Sequence, residues 1–176
     1  MNPIIKKNGI TYGVIIGVFS ILVTTLIYVI DLSLFINWMV GVFSLIVFLI
    51  IGIVLLKKTK KEMNGILTFK EAFTTYFLAS VIGATMSVLF QLVLFNFVDT
   101  DAKDALNSLN VKFTTETMQK WGAPEKAIDE QRAALANVDN YSPANLFKGL
   151  IFSFVLSGIM GAILGLVFRN KLAYKE

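Results

Sequence analysis

The chain has 176 residues, 56% of them hydrophobic and only 16% charged, with a mean hydropathy of +0.71; soluble domains hold roughly 45–50% apolar and about 25% charged residues, so the balance leans to the membrane. It has no Cys and no His, which excludes disulfides, thiol nucleophiles, imidazole bases and the commonest metal and haem ligands. The net charge of +4 is better read as lysine marking one membrane face than as a nucleic-acid footprint.

A helix crosses a hydrocarbon core of about 30 Å with roughly 20 mainly apolar residues, pairing its own backbone amides as it does so. Four uncharged runs meet that length: Asn8 to Ile30, Leu32 to Leu56, Ala72 to Val98 and Gly149 to Phe168, of 23, 25, 27 and 20 residues. They are apolar on all sides, which excludes the alternating strands of a barrel. The sequence predicts an all-α membrane protein, a single membrane domain over 1–176. Its four transmembrane helices are expected at about 9–30, 34–56, 70–98 and 143–168, with a short helical extracytoplasmic segment, 99–142, between helices 3 and 4.

Helix 1 follows Lys6 and Lys7, but its apolar run is too long for a signal peptide and no small-x-small site follows it, so it is expected to remain in the chain. It carries Gly9, Gly13 and Gly17 at intervals of four, then Thr24 and Thr25. Asp31 alone marks the turn into helix 2, which holds Ser44. Thr68 and Glu71 have the spacing of a capping box at the start of helix 3. That helix repeats small residues at Ala79, Gly83 and Ser87 and adds the neutral polar groups Thr85, Gln91 and Asn96. Gln91 is the most unusual of these, because an amide in hydrocarbon needs a partner. An interhelical hydrogen bond worth about 1 kcal/mol or less is the plainer reading, and the wall of a solute path is the sharper one.

In the segment after helix 3, Asp99 or Thr100 can cap a short helix with Ala102, Ala105, Leu106 and Leu109 on one face. A break at Trp121–Pro124 leads to a second helix striped by Ile128, Leu135 and Val138. This hairpin is expected to lean on the membrane surface or on the bundle, with Phe113, Met118 and Trp121 touching lipid or the helix ends. Asp99, Asp101 and Asp104 lack the turn glycine and bidentate Glu of a calcium loop, so they read as a solvated helix start. Ser142 and Pro143 open helix 4, and Lys148 can snorkel from its first turn to the surface. Helix 4 then carries Ser153, Ser157, Gly161 and Gly165 at strict four-residue spacing, with Gly158 and Ala162 alongside. Such stripes let another backbone approach closely. Helix 4 is expected to pack along a neighbour within the chain, and one remaining groove, with helix 1 as a candidate, to support a homo-oligomer.

The basic residues alternate sides in step with the crossings. Lys6 and Lys7 precede helix 1, while Lys57, Lys58, Lys60, Lys61 and Lys70 face only Glu62 and Glu71 between helices 2 and 3. The segment from Asp99 to Lys148 is mildly acidic, and Arg169, Lys171 and Lys175 outnumber Glu176 at the end. The positive-inside rule therefore places both termini and the Lys-rich loop in the cytoplasm and the long segment outside. Tyr28, Trp38, Tyr76 and Tyr141 are expected near the interfaces. Lys57, Lys58, Lys60 and Lys61 could also contact anionic lipid, at about 1 kcal/mol per basic residue, but topology marking explains them equally well.

Three stretches carry a resemblance: Lys7-Asn-Gly-Ile-Thr-Tyr-Gly13, Asn64-Gly-Ile-Leu-Thr-Phe-Lys-Glu-Ala-Phe73, and the Gly-rich helix 4 ending in Arg169-Asn-Lys171. With the order of elements, they make the chain resemble the bacterial membrane-protein family labelled domain of unknown function 4199. The resemblance implies a four-helix protein of the Gram-negative inner membrane with no assigned activity. It carries over no catalytic, cofactor-binding or metal-ligating residue, and the residues themselves suggest none. No ionisable side chain lies in the middle of any run, where proton relays and ion paths would need one. The leading expectation is a non-enzymatic structural, interaction or regulatory module, without cofactor, that contacts the bilayer and packs with itself or a membrane partner. The alternative is a small-solute transporter or channel subunit working as an oligomer, motivated by Gln91, Asn96 and the helix 3 hydroxyls. An enzyme using Asp or Glu alone at the lipid interface comes third.

Overall fold

A computed structural model describes residues 1–170; the charges expected at Lys171, Lys175 and Glu176 lie outside the described residues. Four helices are long and apolar enough to cross a membrane. The first, α1 (Pro3–Ile30), begins well before Gly9, because the Asn2 side chain accepts from the Ile4 amide at 2.9 Å and Pro3 takes the first helical position. A 3-10 turn over Leu32–Phe35 then interrupts what reads as one apolar run. Asp31 holds that turn by accepting from the Ser33 amide, and α2 (Trp38–Glu62) starts only where Asn37 caps Met39. At its other end α2 absorbs the lysines expected in a loop. Lysine is a good helix former, and a cation near a helix C-terminus is favoured by the dipole.

Asn64 (φ 55°) and Gly65 (φ 80°) turn the chain in the left-handed region into α3 (Phe69–Val93). The capping box is formed: Thr68 Oγ1 accepts from the Glu71 amide at 3.3 Å, and Glu71 Oε2 accepts from the Thr68 amide at 2.9 Å. The helix continues through a π-helical turn over Leu94–Val98. Next come α4 (Thr100–Lys120) and α5 (Glu125–Ala136), broken at Gly122 with φ +76°, and then α6 (Pro143–Phe168), capped by Ser142. Thr100–Lys120 is far longer than the short helix expected there.

The bundle is built around α3. On one side Gly9, Gly13 and Gly17 of α1 receive Leu78, Ile82 and Met86 of the parallel α3. In the other direction Ile16 of α1 seats on Gly83. Both helices repeat at four residues, so the ridge of one runs along the groove of the other. On the opposite side the antiparallel α6 offers Gly161 to Phe73 and Tyr76, and Gly165 to Phe69. The Phe69, Phe73 and Phe77 rings form a stacked ladder along α3, with centroids 6.1 and 5.6 Å apart. The glycine groove of helix 1 is therefore occupied inside the chain, and the homo-oligomer expected from such a groove loses its surface. Only half of the helix 4 stripe is a packing face: Gly161 and Gly165 meet α3, whereas Ser153 and Ser157 line an opening, and Gly158 alongside has no atom within 4 Å of where a Cβ would stand.

Tyr76 is not an interfacial anchor. It is buried, with its ring between Gly52 of α2 and Gly161 of α6. Leu56, Leu67, Ala72 and Leu164 complete a sealed cluster around it.

Candidate functional site

The two ends of the bundle are built differently, and the middle opens between them. At the Lys-rich end, Asn8 is buried and donates through Nδ2 to Thr59 Oγ1 at 3.2 Å and Glu62 Oε2 at 2.9 Å, tying α1 to α2. Lys60 donates to the Phe168 carbonyl at 3.1 Å, satisfying a C-terminal carbonyl of α6. Asn170 and Leu67 are joined twice: Asn170 Oδ1 accepts from the Leu67 amide, and the Leu67 carbonyl accepts from the Asn170 amide, both at 2.9 Å. Lys58 lies 5.5 Å from the Tyr12 ring centroid and 4.0 Å from Glu62. Of the four lysines singled out for lipid contact, Lys57 and Lys61 are exposed, and Lys60 is taken up by the fold.

The hairpin end is polar. Asp99 caps α4 by accepting from the Ala102 amide at 2.8 Å and also accepts from the Tyr28 hydroxyl at 2.7 Å. Asp139 meets Lys103 at 3.0 Å, Asn107 Nδ2 at 3.1 Å and the Tyr141 amide at 3.0 Å. Asn96 donates to the Tyr141 carbonyl at 2.9 Å, so it bridges α3 to the start of α6. Beneath these bonds Phe95 is fully buried against Phe35 and Tyr141, beside Ala102 and Leu106 of α4. The base of α4 is thus docked on the bundle, whereas Trp121 at the far end of the hairpin is 86% exposed.

These contacts shift two carboxyls. The Ala102 amide, then the Tyr28 hydroxyl, hold Asp99 below the usual aspartate range. Partial burial would raise Asp139, but the bonds from Lys103, Asn107 and Tyr141 outweigh it and hold it low as well. Because both folded values are depressed, their stabilisation is complete above the unpaired value of about 3.9 and is lost as pH falls through the folded values. Acidification from pH 7 to 3 is expected to lower amide protection in α4 and α5 several-fold more than in α3. Equal change in the three helices by hydrogen exchange would contradict this role for Asp99 and Asp139.

Between the two ends, α2 parts from α6 while keeping its hold on α1, where the Phe19 and Phe48 rings meet edge-to-face at 6.0 Å. Its buried residues begin at Gly52, while Trp38, Val42, Phe43 and Ile46 are exposed. The gap is a cleft of about 450 Å³ shared by α1, α2, α3 and α6. Tyr76 and Met160 form its floor, and Gly41 and Gly149 lie towards the hairpin end. Leu45 of α2 and Leu156 of α6 line it yet are 58% and 51% exposed, so the cleft opens sideways between these helices. Six hydroxyls punctuate an otherwise apolar wall: Ser20, Ser44, Ser80, Ser87, Ser153 and Ser157. Ser20 and Ser153 donate to their own helices, at Ile16 and Leu150. Ser44 and Ser157 have no hydrogen bond among the described residues.

The sequence singled out Ser44 and Ser87 as polar and Ser153 and Ser157 as groove residues; the fold brings all four to one cavity. Ser20, Ser80 and the floor residue Tyr76 went unrecognised as wall. A seven-residue interval between Ser80 and Ser87, two turns on one face, was the available signal. Among the described residues Gln91 makes no bond to another helix: its Nε2 donates to Ser87 Oγ at 3.3 Å, one turn back on α3. It orients a wall hydroxyl instead.

A family model described as "Protein of unknown function (DUF4199)" matches residues 11–170. That span includes the Asn64–Phe73 stretch, the cleft residues and α6. Comparison with curated proteins and with solved structures returns no match.

Proposed function

The chain belongs to the DUF4199 family of proteins of unknown function, and we propose that it is a non-enzymatic interaction module of the bacterial inner membrane that receives an apolar guest between α2 and α6. The observation that carries this is the side opening marked by Leu45 and Leu156, in a bundle whose glycine contacts between α1 and α3 are already closed. The absence of His and Cys from the sequence, and of charge from the middle of each run, supports a binding role over catalysis. Lysine placement supports an orientation with both termini cytoplasmic and the α4–α5 hairpin outside. Exposed Lys57 and Lys61 are then available to anionic headgroups of the cytoplasmic leaflet.

A transporter or channel subunit is the second reading, favoured by the six wall hydroxyls. Against it stands the floor, where Tyr76 is wedged between Gly52 and Gly161 over the Leu56 and Leu67 cluster. A solute would have to displace that packing.

Filling the cleft tests the leading reading. In an open cleft Ser157→Phe adds apolar contact without forcing neighbours apart, so the melting temperature in detergent should hold or rise. A fall of about 10 °C or more, the mark of overpacking by several kcal/mol, would show a closed seam and sink the proposal.

A further inference from the structure

The size and charge of the cleft narrow the guest, given the open cleft proposed above. From Gly149 to Met160, α6 lines the cavity along about 16 Å at roughly 1.5 Å per residue. A volume of about 450 Å³ over that length leaves a cross-section of roughly 28 Å². A single polymethylene chain at van der Waals contact needs about 20 Å². The space suits one hydrocarbon chain laid along it.

A cation stands at the upper end. Lys148 is exposed, and its Nζ donates to Asn145 Oδ1 at 3.2 Å. Asn145 lies one turn before Gly149 on the α6 face that continues to Ser153 and Ser157. The bond holds the ammonium beside Asn145, one turn beyond the hairpin-side end of the cleft. An acidic residue that could neutralise it there is not paired with it: Asp139 is bonded to Lys103 and Asn107.

The geometry points to a lipid-binding site: one acyl chain of an anionic phospholipid enters sideways between α2 and α6, and its phosphate meets Lys148. The chain lies against Leu45, Leu49, Leu156 and Met160. The hydroxyls of Ser44 and Ser157 line the wall beside its methylenes.

The full chain in vesicles, with phosphatidylglycerol or phosphatidylcholine carrying a photoreactive diazirine on the acyl chain, tests this by mapping the labelled peptides. The phosphatidylglycerol probe should label the 45–49 and 156–160 peptides several-fold more than the exposed Leu22 and Leu26 face of α1. Lys148→Gln should reduce that excess to the phosphatidylcholine level, and Ser157→Phe should abolish it. Labels near Lys57 and Lys61 should not change, which separates a general attraction of anionic lipid from the site. Equal labelling by both probes, or labelling indifferent to both variants, overturns the inference. So does cleft labelling no stronger than that of the α1 face, as when another chain fills the space. If Ser157→Phe keeps its melting temperature while the labelling fails, the lipid assignment alone falls and the open cleft stands.

Discussion

Gly83→Ile is expected to be the most damaging single change in the bundle. A Cβ at Gly83 would stand 2.8 Å from Ile16 Cβ and 3.3 Å from the Gly13 carbonyl oxygen, before any further atom is added. The reciprocal position is as tight: a Cβ at Gly13 would lie 2.7 Å from Ile82 Cβ and 3.0 Å from the Ala79 carbonyl oxygen. Two of these obstacles are backbone, which cannot rotate away, so α1 and α3 must separate along their length. Overpacking ordinarily costs about 1–3 kcal/mol, and a crossing that must open exceeds that range. In lipid such close contacts carry much of helix association, because no hydrophobic force acts between helices. Gly158→Ala is the matched control, since nothing lies within 4 Å of its Cβ position. Removing a helical glycine there should gain up to about 1 kcal/mol. Melting temperatures in detergent should fall sharply for Gly83→Ile and hold or rise for Gly158→Ala. Equal values would refute the crossing. Gly161→Ile should fall between them, because its nearest neighbour is the Tyr76 ring at 3.1 Å, a side chain that can shift.

The second large effect is expected at the other end. Phe95 has no exposed surface and meets the Phe35 and Tyr141 rings edge-on, with centroids 5.7 and 4.9 Å away. It joins the 3-10 turn after α1, the base of α4 and the start of α6. Phe95→Ala should cost about 3–5 kcal/mol, the usual range for deleting a buried phenyl ring. The loss should be local: amide protection collapses in α4 and α5 while α3 from Thr75 to Gly83 keeps its own. A loss below about 1 kcal/mol, or a uniform fall along α3, would mean that Phe95 is not the keystone of this end.

Much of the architecture was legible because it depends on short-range rules. Twenty apolar residues make a span, Thr68 with Glu71 makes a cap, and Ser142 with Pro143 makes a start; each needs only its neighbours in sequence. Helix pairing does not. The four-residue rhythm of Gly9, Gly13 and Gly17 reports that a partner comes close, yet it cannot say whether that partner is α3 or another copy. The same rhythm on α6 spans two surroundings, packed at Gly161 and Gly165 and open at Ser153 and Ser157. A serine among aliphatic residues reads alike as a small contact or as a cavity wall. Gln91 was misjudged for a related reason: its amide found an acceptor in Ser87 on its own helix, a local solution that spacing of four allowed. The parting of α2 from α6 left no mark in its sequence, since a face towards lipid and a face towards helices are equally apolar.

Two segments inside the matched span, residues 64–67 and Asn170, lie with Asn8, which precedes that span, at one end of the fold. Asn8 binds Thr59 and Glu62, the Asn64–Gly65 turn presents Leu67, and Asn170 holds that same Leu67 through two bonds. Together they lock the Lys-rich end, while the other half of α2 holds to α1 and parts from α6.

The open seam between α2 and α6 can be measured directly, because the chain has no native cysteine. Spin labels placed through Ser153→Cys, Ser157→Cys, Val155→Cys and Leu55→Cys in lipid bilayers report contact with oxygen dissolved in the hydrocarbon. The labels at 153 and 157 should relax nearly as fast as the lipid-facing one at 155, whose native side chain is 56% exposed. The label at 55, which replaces a fully buried leucine, should remain shielded. Shielding at 153 and 157 equal to that at 55 would show α2 closed against α6, and the cleft would not exist.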